Sequence, residues 1–267
     1  MTHIGSFEVR RARVTALIAI ALGALLAACS TSASGGGTED VVRQVPLRDG
    51  ERFVYRLVDL DGQLVGRGTF TTTRAGDALE LRQSYEDLAV PAGERAVTDQ
   101  SLVVVDASTL RPLTMERTIE ARDEDDDELV VAAYASDAED RSGVRTTPTT
   151  SGDARTRELR LRDHYYEDQS SLWLWRTLAF GEDLEVRYTA VDPREDSQVT
   201  VAMAQVDRQL RETPAGTFDT WVIQIRTGRE TVNVWVHVQP PHEVVRFDNG
   251  RLYFELESAD LLGREGS

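Results

Sequence analysis

The sequence predicts an all-β protein, mainly antiparallel: a curved sheet, half-barrel or sandwich with one helix packed on it. Three observations carry that expectation. Phe53, Tyr55 and Leu57 alternate with their neighbours, as do Val232, Val234, Val236 and Val238 with Asn233, Trp235 and His237. A two-residue period belongs to strands with one buried face. Turn signals such as Asp61-Gly62, Gly76-Asp77 and Asp248-Asn249-Gly250 separate these segments closely, which joins antiparallel neighbours. No strand–helix–strand repeat appears, so nothing supplies the crossovers of a parallel sheet.

In chain order, Arg10, Arg11 and Arg13 form a basic head before fifteen uncharged residues, Val14 to Ala28. A helix needs about 20 residues to cross a bilayer core of roughly 30 Å, so this run reads as an export signal. Arg10-Arg11 also admits twin-arginine export, although Ala12-Arg13-Val14 departs from that motif. The exit, Leu26-Ala27-Ala28-Cys29, resembles the lipobox of bacterial lipoproteins: an aliphatic residue, two small ones, then cysteine. The resemblance implies cleavage before Cys29, a diacylglycerol thioether on its sulfur, often acylation of the new amine, and lipid anchoring to the cell membrane or outer membrane on the extracytoplasmic side. Cys29 is the only cysteine, so no disulfide forms within the chain. The expected organisation is a signal over 1–28, a flexible tether over 29–45 (STSASGGGTED at its centre), one β-rich domain over 46–260 and a disordered tail over 261–267.

Glu51 to Glu86 reads as three strands, with Gly66 and Gly68 marking a bulge or a close backbone approach in the second. Residues 87–99 read as a loop. Ser101 to Val105 is a short buried strand, and Leu110 to Glu120 follows with Pro112 near its start. Six acids, Asp123 to Glu128, cannot pack and are expected in a solvated hairpin loop before the strand Leu129 to Tyr134. Ser136 to Arg155 is polar and reads as a long loop or a joint. Tyr165 to Phe180 reads as one helix, with Asp168 or Ser170 as its cap, Leu172, Trp175 and Leu178 on one stripe, and Gly181 at its end. The remainder reads as strands over Leu184–Val191, Gln198–Leu210, Phe218–Thr227, Thr231–Val238, Val244–Phe247 and Leu252–Leu256, about a dozen in all with those upstream.

Certain features of the C-terminal third form a pattern: Tyr165, Ser170-Ser171-Leu172, Leu174 and Arg176-Thr177-Leu178; then Pro214-Ala215-Gly216-Thr217-Phe218; then Val234-Trp235; then Pro241 and Val244-Val245-Arg246. They resemble a family of uncharacterised bacterial envelope domains, covering 50–257 loosely and 165–257 better. The resemblance implies a curved antiparallel sheet and no particular reaction. By analogy of shape, the half-barrels of periplasmic lipoprotein carriers hold acyl chains in an apolar hollow.

The formal charge of −16 becomes −18 once residues 1–28, with three Arg and one Glu, are removed. Such a surface repels phosphate backbones and argues against nucleic acid as a partner. No nucleophile elbow, zinc-protease helix, phosphate-cradling loop or dinucleotide fingerprint occurs. No cofactor or metal is expected. His237 and His242 flank Pro240-Pro241 and can meet Glu243, a turn arrangement more than a ligand set. The acidic run lacks the glycine and ligand spacing of a calcium loop. Trp175 is expected in the core, Trp173 off the stripe as a candidate ligand-facing ring, and Arg176 paired with an acid near the helix end. The sequence therefore points to a lipoprotein with a non-enzymatic binding or envelope-maintenance domain, its partners being the membrane and an envelope protein or apolar ligand. A carrier or receptor for lipid, and a hydrolase built from scattered acids, stand as alternatives.

Overall fold

The computed structural model describes residues 37–134, 142–148, 154–181, 184–228 and 230–261. The expected signal and the first part of the expected tether, residues 29–36 including Cys29, lie outside them, as do residues 262–267. The first eight strands are β1 (Arg52–Asp59), β2 (Leu64–Ala75), β3 (Ala78–Asp87), β4 (Thr98–Asp106), β5 (Pro112–Glu120), β6 (Glu128–Tyr134), β7 (Ser142–Pro148) and β8 (Ala154–Arg160). The other seven are β9 (Tyr165–Glu167), β10 (Glu185–Asp192), β11 (Ser197–Thr213), β12 (Gly216–Thr227), β13 (Glu230–His237), β14 (Val244–Asp248) and β15 (Leu252–Asp260). All fifteen belong to one sheet. β1 to β8 lie side by side in chain order, β15 back to β9 do the same, and β1 pairs with β15 where the two runs meet. Neighbours are antiparallel except β9 and β10, which are parallel.

Alternation decides which side of this ribbon is wet. On β3, Leu79, Leu81, Gln83 and Tyr85 are buried while Arg82 is exposed. The buried set of every long strand feeds a single core. Within it Tyr55, Phe70, Tyr85 and Phe254 meet edge to face at centroid separations of 5.1, 5.7 and 5.8 Å. Such pairs add about 0.5–1.5 kcal/mol each beyond the area they bury. A one-residue slip in any strand would turn this set to solvent, so the packing holds the register.

The sheet curls until its two ends meet through side chains and not through strand hydrogen bonds. Tyr134 of β6 stacks on Tyr165 of β9 at 6.1 Å, Arg194 Nε donates to Glu128 Oε2 at 2.8 Å, and Arg157 pairs with Asp196. The expected curved, mainly antiparallel sheet is the fold observed. Gly66 has both features expected of it. Val65 is the extra residue in a register shift against β1, and a Cβ on Gly66 would stand 2.8 Å from the Glu86 carbonyl oxygen.

Four expectations change. The polar stretch 136–155 contains β7 and the start of β8, a hairpin at the sheet edge joined to β6 by backbone pairing. Its run of threonines suits extended backbone. The expected tether is partly structure: Val41 is 1% exposed, and Val42 and Val45 pack on the core. The expected long helix over 165–180 is broken. β9 leads into a 3₁₀ turn (Asp168–Ser170), a single α turn α1 (Ser171–Leu174) and a second 3₁₀ turn (Trp175–Thr177). The acidic run does sit at the β5–β6 hairpin, but Asp127 is engaged, accepting from Arg95 Nη1 and Ala121 N at 2.8 Å each.

Replacing Gly66 with alanine should force β2 away from β3. Overpacking of this kind costs about 1–3 kcal/mol. Urea denaturation of Gly66→Ala against Gly93→Ala, whose Cβ meets nothing within 4 Å but whose φ is +86°, separates crowding between strands from turn strain.

Candidate functional site

The segment 165–177 enters the curl and fills it. Glu167, Asp168, Gln169, Ser170, Arg176 and Thr177 are all buried, alongside Leu172, Trp173, Leu174 and Trp175. An amphipathic helix needs one wet face, and this plug has none. Its polar side chains find partners inside: Ser170 Oγ and Thr177 Oγ1 donate to the Glu167 and Leu174 carbonyls at 2.7 Å each, and Gln169 accepts from Gln83.

Arg176 anchors the plug. Its Nη1 and Nη2 donate to Glu51 Oε1 and Oε2 at 2.6 and 3.0 Å, and its Nε donates to the Pro241 carbonyl at 3.2 Å. The guanidinium lies 4.8 Å from the Phe53 ring centroid. Thr72 Oγ1 donates to Glu51 Oε1 at 2.9 Å and accepts from Trp173 Nε1 at 2.8 Å. Arg176 was expected to pair near its own helix end; its acid lies 125 residues away. Trp173 was expected to face a ligand, yet it is 2% exposed and packs on Phe70 at 5.4 Å. Trp175 is core as expected, against Phe247 at 5.0 Å, with its Nε1 donating to the Tyr188 hydroxyl at 3.3 Å.

The N-terminal strap, residues 38–48, crosses the mouth below the plug. Arg43 N and Gln44 N donate to the Thr177 carbonyl at 3.0 and 3.4 Å, and Glu39 N donates to the Arg187 carbonyl at 2.7 Å. Asp40 pairs with Arg111 and lies 3.2 Å from His164 Nδ1.

Beside the plug is a cluster of buried ions. Arg117 of β5 makes a two-pronged pair with Asp99 of β4 at 3.0 and 2.7 Å. Glu167, Asp168 and Asp192 face the same arginine and are all buried. Both Glu167 oxygens, Asp168 Oδ2, Asp192 Oδ2, the Tyr134 hydroxyl and Ser101 Oγ have no partner within the described residues. One arginine, already held by Asp99, cannot neutralise three further carboxylates. Burial, reinforced by Asp192 and opposed by Arg117, pushes the Asp168 carboxyl up to about 7. Burial likewise raises Glu167 well above the usual range, and raises Asp192. These groups hold protons where an exposed carboxyl would have released them.

A carboxyl near 7 suits acid–base chemistry. The space beside it does not suit a substrate. The cavity lined by Asp168, Gln169, Trp175, Tyr188 and Phe254 has a volume of about 30 Å³. That is room for one or two waters, each of which needs roughly 10–15 Å³ on this measure. Among the described residues no three His, Asp or Glu side chains are placed to share a metal ion. His237 and His242 form the expected turn cluster: His237 Nδ1 lies 2.9 Å from Glu243 Oε2, and His242 Nδ1 lies 3.0 Å from the His237 carbonyl.

The family described as protein of unknown function (DUF3108) matches residues 54–256. The chain belongs to that family. The match spans the sheet from β1 to β15 together with the plug, while the strap lies ahead of it. Among solved structures, the chain is similar in fold to a β-barrel-like protein of the domain of unknown function DUF1849 from Brucella abortus. Its TM-score is 0.55 at 12% identity, covering 80% of this chain and 98% of that one. A candidate lipoprotein from Parabacteroides distasonis and an exported protein with a YmcC-like fold from Bacteroides fragilis align at TM-score 0.31 each. Their identities are 14% and 12%, over 83% of this chain and 100% of each of theirs, a likeness too weak to carry any inference. No curated protein matches the chain.

An acid partner for Arg176 was expected from the sequence without Glu51 being identified, and Asp99–Arg117 was missed. A signal existed for the second. Asp99 and Ser101 continue the inward alternation of Val103 and Val105, and Arg117 that of Met115 and Ile119. Polar residues at core positions break the binary pattern, and such breaks mark special sites.

Two outcomes follow. Arg176→Met should cost about 3–5 kcal/mol in urea denaturation, since it strands the Glu51 carboxylate in the interior; Glu51→Gln combined with Arg176→Met should recover part of that loss. For the acid cluster the sign is set by proton uptake. Asp168 binds its proton more tightly folded than unfolded, so its stabilising contribution is complete below the unfolded value near 3.8 and is lost as pH rises to about 7. Thermal melting from pH 4 to pH 8 should therefore show Asp168→Asn gaining on the native protein as pH rises. A constant difference across that range would contradict the assignment.

Proposed function

We propose that this chain is a bacterial lipoprotein, anchored through Cys29, whose β domain is a non-enzymatic binding or envelope-maintenance module. The filled interior is the observation that carries the reading. Ligand pockets for small molecules occupy about 300–1,000 Å³, and the space between plug and sheet is about 30 Å³. That supports recognition on the outer surface and counts against a carrier that swallows an acyl chain. The hydrolase alternative has only Asp168 in its favour, and the same volume leaves its substrate no place beside that carboxyl.

The strap supports the anchored reading. Val41 is the first core residue after Cys29 among the described residues. At roughly 3.3–3.6 Å per extended residue, the intervening chain would keep the domain within roughly 40 Å of the bilayer. Two or three acyl chains would hold it there, each buried methylene contributing about 0.8 kcal/mol.

Cys29→Ser should leave the signal uncleaved and abolish incorporation of labelled fatty acid. Normal acylation of that variant would overturn the anchor, because no other thiol exists. The native protein should bind no fluorescent fatty-acid probe saturably; saturable binding displaced by free fatty acid would restore the carrier.

A further inference from the structure

The outer face of the C-terminal strands carries a second cluster, separate from the plug. Val232, Val234 and Val236 of β13 belong to the core, so Trp235 between them points outward. It is nonetheless 7% exposed, because arginines cover it. The Arg211 guanidinium carbon lies 4.6 Å from its ring centroid and that of Arg246 lies 5.5 Å away; Arg246 also lies 4.0 Å over Tyr253. Strand pairing sets Trp235 beside Arg246, Arg246 beside Glu255, and Glu255 beside Arg56.

The charges here do not balance. Glu255 serves two arginines, accepting from Arg56 at 2.7 Å and Arg246 at 3.0 Å. Arg67 is taken by Glu257 at 2.7 Å, and Arg208 by Asp219. Arg211 pairs with no carboxylate among the described residues. Arg67 has Glu257 and, across the strand pairing, Glu86, so Arg56, Arg211 and Arg246 are left with Glu255 between them, a local surplus of positive charge on a chain of formal charge −16. Donors outnumber acceptors as well. Arg211 Nε, Arg246 Nε and Trp235 Nε1 are buried without a partner. Burial and then the neighbouring charge of Arg246 weaken the hold of Arg211 on its proton, with Glu255 opposing. Two guanidinium groups drawn to one indole repel each other unless an anion lies between them.

We propose that Arg211 and Arg246, stacked on Trp235, form a binding site for a phosphate-type oxyanion on the outer face of the domain. The planar fork of a guanidinium matches two oxygens of such a group. The surplus of positive charge and unpartnered donors suits a phosphate group, monoester or diester, whose tetrahedral oxygens can face both guanidinium groups at once, better than a single carboxylate. The Trp235 and Tyr253 rings already hold the two guanidinium groups in place, so little side-chain freedom is lost on binding. The site names a ligand class for the binding-module reading and rests on it, but not on the anchor at Cys29, whose test reads acylation alone.

The test is calorimetric titration of the whole protein, solubilised in a neutral detergent, with two probes: inorganic phosphate, and glycerophosphoglycerol, the headgroup of phosphatidylglycerol. The native protein should bind at least one of them saturably. Arg211→Gln should weaken that binding tenfold or more with an unchanged melting temperature. Arg211→Lys, which keeps the charge without the fork, should bind with intermediate strength; it serves as the deciding variant if Arg211→Gln melts early. Preference for glycerophosphoglycerol would identify a lipid headgroup as the source, and preference for inorganic phosphate a soluble anion. Saturable binding of neither probe, or equal binding by the native protein and a folded Arg211 variant, would overturn the proposal.

Discussion

The Glu51–Arg176 pair is the contact on which the interior depends. A sheet of fifteen strands that curls without closing leaves a hollow, and the hollow must be filled. Here the chain fills it with its own segment, and Arg176 ties that segment to the residue just before β1. Taking two charges out of water costs several kcal/mol per ion, which an attraction in poor geometry does not recover. The geometry here is two-pronged, with Thr72 and the Pro241 carbonyl satisfying further sites on the two ions. One ion pair therefore joins residues 51, 72, 176 and 241, and through Thr72 orients Trp173.

Because the plug is polar as well as aromatic, the interior is specified by hydrogen bonds as much as by volume. Trp173 and Trp175 supply the apolar bulk, and each indole N–H has a partner. Glu167 and Asp168 bring carboxyls in without matching cations, and Asp192 adds a third from β10. The low-dielectric setting resolves that conflict through protonation more readily than through charge. The strap then binds the plug from outside through the Thr177 carbonyl, so the segment that leads back toward Cys29 is continuous with the packed interior.

Strand positions were largely legible because alternation and turn chemistry are local. Asp61-Gly62 and Asp248-Asn249-Gly250 sit at the turns they signalled, and Pro112 opens β5. Errors arose where a residue's surroundings come from elsewhere in the chain. Leu172, Trp175 and Leu178 fit a helical stripe, yet the residues between them are buried too, because the sheet wraps the segment on all sides. The threonine-rich stretch near 146 shows no apolar period in the sequence and still forms a strand, since edge pairing uses backbone groups that side-chain periodicity does not report. Val41, Val42 and Val45 looked like tether because three valines among polar residues show no period; their core is made by strands far away.

The sequence by itself determined the strand-rich class, the meander of short turns and the acidic net charge, because the first two follow from neighbours within a few residues and the third from composition. The tertiary structure alone decided that Trp173 is core, that Arg176 meets Glu51, and that Arg211 and Arg246 converge on Trp235. These are contacts between strands or segments that only the curl of the sheet brings together. A local pattern can say that a residue is apolar or charged; which partner cancels its cost is set by closure of the whole sheet.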